Sequence, residues 1–478
     1  MIAAISLGAI FLVIFAVLIV RALLFVPEKR KNSQPDFVSV DSEAAINSLA
    51  ELIRCKTVSY SDRSLEDEAE FKRLKELLPK LFPAVYEKCI LEEPNDRSIL
   101  LRWKGESEEL PTVLMAHYDV VSVSRDGWDK PAFEGVIENG ILWGRGAIDT
   151  KGTLNAILCA AESLIKDGFI PKRDIYFAFG GDEEINGTGA KTIAELLKKR
   201  GVEPGMVLDE GGAVVENVFP GVKERCALIG IAEKGMLNIE YSVKSCGGHS
   251  SSPQKNTPVE RLSRACVRMS KRPFKFKLTE PARKMLDTLA RNSAFVYKLI
   301  FANLWLFAPV LNVITKNNGG ELNAILRTTS AFTMMRGSEG MNVIPPVATM
   351  VSNHRILPGE SVEQVKAQIE KKVNDKEVHI RTIGGMNPSN VSTTECEAWD
   401  RIKSAALNTW QGVIVSPYLM FACSDSRHYS EFSDKVYRFS PLVLTKEERE
   451  TIHGNNERIS ISQIRESVEF YIRLIKKS

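Results

Sequence analysis

At 478 residues the chain is too long for one small core, and two domains are the natural expectation. Hydrophobic residues make up 44% and charged residues 26%, the proportions of a folded globular protein rather than a disordered or fibrous one. With 63 basic against 60 acidic residues the net charge is +3, so no bulk field argues for nucleic acid.

The first element is apolar. Residues 2–20 carry no charge and are about long enough to cross a hydrocarbon core as a helix; with its flank the segment runs over 2–24. No basic residue precedes it and no small-residue cleavage site follows, so it reads as an uncleaved anchor rather than a signal peptide. Arg21, Lys29, Arg30 and Lys31 follow the span, and by the positive-inside rule would hold the rest of the chain in the cytosol. The triplets at Asn186 and Asn390 would suit a lumenal chain, although a glycan on Asn186 would crowd the adjacent glutamates.

Beyond residue 40, strands and helices alternate. The β-branched run 112–121 predicts a buried strand, 151–168 a helix stopped by glycine, 173–181 a second strand, 190–201 a helix, and 206–212 a short apolar strand. This is the pattern of an α/β sheet, in which ligands gather at the carboxyl ends of strands. From about Lys234 the texture changes. A strand at 235–245, a helical stretch at 257–271, the segment 342–358, a helix at 361–373 and a strand at 378–385 predict an inserted β-α-β-β-α-β domain. The helix over 395–410 and the closing segment return to the first domain. The expected units are a 2–24 anchor, a catalytic part at 41–233, an insertion at 234–385, and a second catalytic part at 386–478. The basic run Arg264 to Lys277 reads as a solvated face. The eight cysteines form no CxxC pair and leave the redox compartment open.

Chemistry concentrates at the predicted strand ends. MAHYDVV (115–121), GRGAIDTKG (144–152) and GGDEEING (180–187) supply His117, Asp149 and the pair Glu183–Glu184, an order that suits a two-metal hydrolase. His117 and Asp119 are two apart on a strand and share a face, so Asp119 can accept the far N–H of His117 and fix its tautomer. Asp149 precedes a helix, where a carboxylate can bridge two ions; taken alone it would read as a helix cap. Glu183 and Glu184 leave a strand into a glycine-flanked turn, so one can face a metal and the other an attacking water. Asp209, in MVLDEGG, has the same placement, with Glu210 as fallback ligand. Of six histidines, His453 in IHGNNE is the best second imidazole, while His249 in GGHSS reads as a mobile-loop residue.

In this order and spacing, MAHYDVV, GRGAIDTKG, GGDEE, LDEGG, GGHSS and IHGNNE resemble the co-catalytic zinc aminoacylase and carboxypeptidase family. NVIPP, RILPG and SDSR followed by YRFSP are most similar to its branch of carboxypeptidase S and N-fatty-acyl-amino-acid synthase/hydrolase. The resemblance implies an α/β zinc-peptidase domain with a mixed sheet flanked by helices, plus an inserted α+β, ferredoxin-like lid that often mediates dimers. It implies two zinc ions: His117 and Asp209 on one, Glu184 and His453 on the other, Asp149 bridging. Glu183 would be the general base, Asp119 would orient His117, and His249 would reach the scissile carbonyl from the lid. Arg355 would grip a substrate carboxylate, with Arg427 a second candidate and structural ion pairing the plain alternative for both. The same branch implies a lumenal or extracellular catalytic domain, against the basic flank.

The substrates expected from this reading are N-acyl, especially N-fatty-acyl, amino acids, or else peptides with a free C-terminus. A third reading, a silent scaffold, is opposed by the complete ligand set. The apolar stretch 293–314 is expected to be a buried helix or dimer contact, or alternatively an acyl channel or membrane-dipping surface; Lys298 and Pro309 argue against a second span.

Overall fold

The computed structural model describes residues 2–28, 37–124 and 126–478. Lys29, Arg30 and Lys31, which carry the orientation argument, lie outside the described residues. The N-terminal helix, Ile2–Leu24, is long and apolar enough to cross a membrane and is almost wholly uncovered by the rest of the chain.

The main sheet contains β1 (Ile90–Glu92), β2 (Ser98–Trp103), β3 (Thr112–His117), β4 (Ile175–Gly180), β5 (Met206–Val215) and β6 (Cys226–Glu233). The smaller sheet uses β7 (Gly235–Lys244), β8 (Thr329–Arg336), β9 (Val347–Ile356) and β10 (His379–Met386). The chain then returns to the main sheet with β11 (Ile414–Met420) and β12 (Val436–Leu444). The order across the main sheet is β1-β2-β4-β3-β5-β12-β6-β11. β3 runs parallel to both β4 and β5, so three consecutive carboxyl ends open on one edge. β2 is antiparallel to β4, which makes the sheet mixed.

Helices cover both faces, and alternation along the strands feeds two cores. Val113 and Met115 of β3 pack with Ile193 and Leu197 of the Gly189–Lys199 helix. Leu114 and Ala116 face the larger core with the Lys151–Lys166 and Ile461–Ile475 helices. Every residue of β3 and β4 is buried, as strands covered on both faces require.

The smaller sheet is antiparallel in the order β8-β9-β7-β10, with its own core of Leu237, Ile239, Leu262, Met350 and Ile369. Its two helices, Pro258–Lys271 and Val362–Val373, begin with capping boxes on Thr257 and Ser361. The expected β-α-β-β-α-β order is therefore present, but the inserted stretch is not one unit. Ala282, Leu286, Leu289, Phe301, Leu311 and Leu326, all within 234–385, join the larger core instead. The segment between the Pro258–Lys271 helix and β8 thus leaves the small domain and returns to it.

His354 on β9 shows what the small core demands of a polar side chain. It is fully buried, with Nε2 2.7 Å from Ser352 Oγ and Nδ1 2.8 Å from Ser330 Oγ. Burial, with Lys372 nearby, pushes its pKa down to about 4 from an ordinary 6.5. The unfolded chain protonates near 6.5 and the folded chain only near 4. Its contribution is therefore intact above pH 6.5 and lost as pH falls towards 4. At about 1.4 kcal/mol per unit the loss is about 3 kcal/mol. Urea unfolding at pH 7.5 and pH 4.5 checks this: wild type loses stability relative to His354→Gln at the lower pH, while the gap between them stays constant above pH 7.

Candidate metal centre and active site

Three strand ends and one returning loop build the site. β3 ends at His117, and β4 ends at Gly180 before the short turn Glu183–Ile185. Gly181 is needed there, since a Cβ would stand 2.3 Å from the Tyr118 ring. Asn186 closes the turn in the left-handed region at φ 54°, a conformation that asparagine tolerates. Asp119 is fully buried and braces this turn: its carboxylate accepts the N–H of Glu183 and of Glu184, each at 3.1 Å, and the Ser59 hydroxyl at 2.7 Å. His117 Nδ1 lies 3.0 Å from the Asp119 backbone oxygen and 3.4 Å from its carboxylate. The expected partnership of the two residues is there, but the nearer acceptor is the backbone carbonyl.

Asp149 sits one residue before the Thr150 cap of the Lys151–Lys166 helix. Its loop is held from the far end of the chain. The buried Glu457 carboxylate accepts the N–H groups of Gly146 (3.1 Å), Ile148 (2.8 Å) and Asp149 (3.1 Å), and pairs with buried Arg145 at 2.6 Å. His453, four residues earlier, adopts φ 58°, and its imidazole meets the same loop.

These elements bring one cluster together. His117 Nε2 is 2.9 Å from Asp149 Oδ1 and 3.4 Å from Glu210 Oε1. His453 Nε2 is 3.0 Å from both Asp149 Oδ2 and Glu184 Oε2. Asp149 therefore presents one oxygen to each imidazole, the placement of a bridging carboxylate. The sets His117–Asp149–Glu184 and His117–Glu183–Glu210 each converge closely enough to hold a cation. Glu184 Oε1 is buried with no hydrogen-bond partner, a donor atom aimed at nothing but the cluster.

Of the expected ligand Asp209 and its fallback Glu210, it is the Glu210 carboxylate that lies 3.4 Å from His117, at a point where the pairing of β5 with β12 shifts register. The Asp209 carboxylate instead accepts the Ser426 N–H at 2.8 Å and the Glu210 N–H at 2.9 Å.

The charges follow from crowding. Burial pushes Glu210 up to about 8, with Asp149 adding to the effect. Burial also lifts Glu183 well above the carboxylate range, against the pull of His117 and reinforced by Asp425 and Glu210. For Asp149 burial is overcome by hydrogen bonds from His117 and His453, which hold it below the ordinary value. Hydrogen bonds to Asp149 and Glu184 raise His453 to about 10. A nitrogen- and oxygen-rich donor set of this kind suits zinc.

The two arginines lie around Cys423, whose thiol also feels Glu183. Arg355 Nη1 is 3.8 Å from Cys423 Sγ and makes no ion pair among the described residues. Arg427 donates to the Ser424 carbonyl at 3.0 Å and lies 3.9 Å from Asp425 Oδ1. The Cys423 thiol, pushed up to about 11 by burial, feels Glu233, both arginines and Glu183. His249 stands apart: it is exposed on a two-residue strand paired with Val343–Ile344, with Nδ1 2.7 Å from Ser251 Oγ.

A model of Peptidase family M20/M25/M40 matches residues 113–477. The chain belongs to that family. M20 relatives include probable carboxypeptidase S-like 2 of Dictyostelium discoideum, 36% identical over 90% of this chain and 84% of its own length. The N-fatty-acyl-amino acid synthase/hydrolase PM20D1 of Xenopus tropicalis is 34% identical over 98% of this chain and 93% of its own. Among solved structures, the Sulfolobus solfataricus M20 metallo-carboxypeptidase Sso-CP2 superposes with a TM-score of 0.68 at 17% identity, covering 90% of this chain and 98% of that one. The protein is thus a metal-dependent amide hydrolase with the M20 α/β fold.

Glu457 and Arg145 were not singled out by the sequence reading, although Glu457 closes the IHGNNE motif. Glu457→Gln leaves the Arg145 charge buried without its partner, a loss of about 3–5 kcal/mol, readable as a lowered midpoint in urea. Metal content after dialysis separates the two acids of β5: Glu210→Gln binds one equivalent fewer than wild type. Asp209→Asn keeps the wild-type stoichiometry and weakens affinity by about 10–100-fold, the usual effect of losing an outer partner.

Proposed function

We propose that this M20 enzyme is a membrane-anchored di-zinc amidohydrolase that cleaves N-fatty-acyl amino acids to a fatty acid and an amino acid, and condenses them when both are abundant. The observation that carries a substrate with a free carboxylate is Arg355: a guanidinium against Cys423, whose thiol also feels Glu183, and with no acidic partner among the described residues, suits bidentate recognition of a carboxylate. The acyl side is supported by the likeness to N-fatty-acyl-amino acid synthase/hydrolases along almost the full chain. The second reading, a carboxypeptidase, rests on the slightly higher identity to the carboxypeptidase S-like relative and on the 28% identity to carboxypeptidase S of Saccharomyces cerevisiae.

In this proposal His117, Asp149 and Glu210 would hold one zinc, and Asp149, Glu184 and His453 would hold the other. Bound zinc supplies Lewis acidity at the amide oxygen and lowers the pKa of water. Glu183 takes the proton of the water that attacks the amide carbon, then returns it to the leaving nitrogen. A carboxyl kept above its usual pKa by burial is suited to both transfers, and Asp119 fixes it by holding the backbone of the turn. His249 would reach the substrate carbonyl from the smaller domain, acting as a lid, or from a second copy in a homodimer. The Ile2–Leu24 helix would span the bilayer and keep the catalytic domain on the lumenal side.

Hydrolysis by the full chain in detergent, comparing a long-chain N-acyl phenylalanine with a blocked dipeptide, tests the substrate. We expect higher kcat/KM for the acyl substrate, with activity abolished by chelation; preference for the dipeptide would make the enzyme a carboxypeptidase. Glu183→Gln is expected to lower kcat by about 100-fold or more with metal content unchanged. Unaltered turnover would remove Glu183 from the reaction.

A further inference from the structure

Among the described residues, the hydrogen bonds that tie the N-terminal helix to the body converge on a break between two apolar helices. Phe295–Phe301 and Leu304–Asn318 are bent by 102° at Ala302–Asn303. Both residues of the break bind the N-terminal helix. Arg21 donates from Nε and Nη2 to the Ala302 carbonyl at 3.0 and 2.9 Å. Asn303 donates from Nδ2 to the Leu18 carbonyl at 3.1 Å. Leu18 lies three residues inside Arg21, about 4.5 Å along the axis, so the corner of the hairpin reaches roughly one turn into the span.

Beyond the corner, the Leu304–Asn318 helix has two unlike faces. Leu311 and Thr315 are buried against the body. Trp305, Leu306, Val310, Val313 and Ile314 share the other face and stand 59, 41, 54, 56 and 49% exposed. Where the span ends, Arg21, Arg283 and Arg291 line one cleft, with Arg291 4.3 Å over the Phe25 ring and donating to the Val26 carbonyl.

We propose that the 295–318 hairpin is a second, re-entrant membrane element whose outer face lies in the hydrocarbon of the bilayer spanned by Ile2–Leu24, with the three arginines at the level of the lipid phosphates. The inference rests on the anchor reading above. Three observations commit the face to lipid. It is continuous with the span, because the same two residues that break the hairpin grip the anchor. The carbonyl exposed by the break is satisfied by Arg21, as irregular backbone at membrane depth requires. The apolar stripe is large, unbroken and bordered by cations, with a tryptophan at its start, the composition of a surface seated at the acyl boundary.

Trp305 supplies the probe, since it is the most exposed of the six tryptophans; Trp103, Trp399 and Trp410 are buried and Trp128 and Trp143 half-buried. The full chain is reconstituted into phosphatidylcholine vesicles carrying bromine on the acyl chains. Fluorescence is compared with that of Trp305→Phe, and with Val313→Trp in the Trp305→Phe background. We expect bromine to quench emission in wild type, the sensitive fraction to vanish in Trp305→Phe, and Val313→Trp to restore it. Quenching of these positions by aqueous acrylamide instead would put the face in water and overturn the proposal. Quenching by neither agent would mean that protein, such as a second copy, covers it, and would overturn it equally. An alkaline carbonate wash separates this from the anchor: a chain that resists the wash but ignores bromine retains its span and loses the hairpin. A chain released by the wash, yet bromine-sensitive before it, loses the span and keeps the hairpin.

Discussion

Repulsion among buried carboxylates is the constraint around which the catalytic domain is arranged. Asp119, Asp149, Glu183, Glu184, Asp209 and Glu210 all converge on a few ångströms at the edge of the sheet, where water cannot separate their charges. Among the described residues no lysine or arginine forms an ion pair with them, and only His117 and His453 reach their carboxylates as bases. Instead each acid is either fixed by backbone N–H groups or left aimed inwards. Asp119 and Asp209 belong to the first kind, and Glu184, with an unpartnered oxygen, to the second. An uncompensated cluster of this sort is a standing demand for divalent cations, so the energy that folding spends on burying the acids is recovered when metal binds.

The sheet topology makes such a cluster possible. Three neighbouring strands, β4-β3-β5, run parallel and finish on the same edge, so residues far apart in sequence arrive together without a long loop. Everything else on that edge is second-order support: the turn after β4, the loop before the Lys151–Lys166 helix, and the returning segment at 453–457. The part of the molecule around the N-terminal helix is built on the other principle. There the acids are few, arginines border an apolar face, and contact with the anchor is made by backbone carbonyls and guanidinium groups.

Much of the site was legible because its residues are local signals. His117 closes an apolar run, while Asp149, Glu183, Glu184 and His453 each lie within three residues of a glycine, and periodicity puts the ends of the strands before His117 and Glu183 at a sheet edge. The choice between Asp209 and Glu210 was not legible. It depends on an irregular stretch of β5 at Glu210–Gly211, where pairing with β12 shifts register and Gly211 takes φ 144°, and no sequence period announces such a break. Glu457 was missed because its partners are the backbone of residues more than 300 positions away. In the small domain, β8 went unlocated because it is an edge strand with most of one side in solvent, so burial leaves no imprint on its sequence. The 280–326 helices were assigned to the insertion because amphipathicity says that a helix has a core to face, but not which core.

The dependence of the Asp149 loop on Glu457, and of the cluster on His453, also governs when the enzyme can come into being. Synthesis of the chain delivers His117, Asp149 and both glutamates early, yet the second imidazole and the carboxylate that shapes the loop are among the last residues made. Until they emerge, the nascent protein holds an acidic half-site with no means of fixing its geometry. A chain that stops before residue 453 lacks both the second imidazole and the carboxylate that shapes the Asp149 loop.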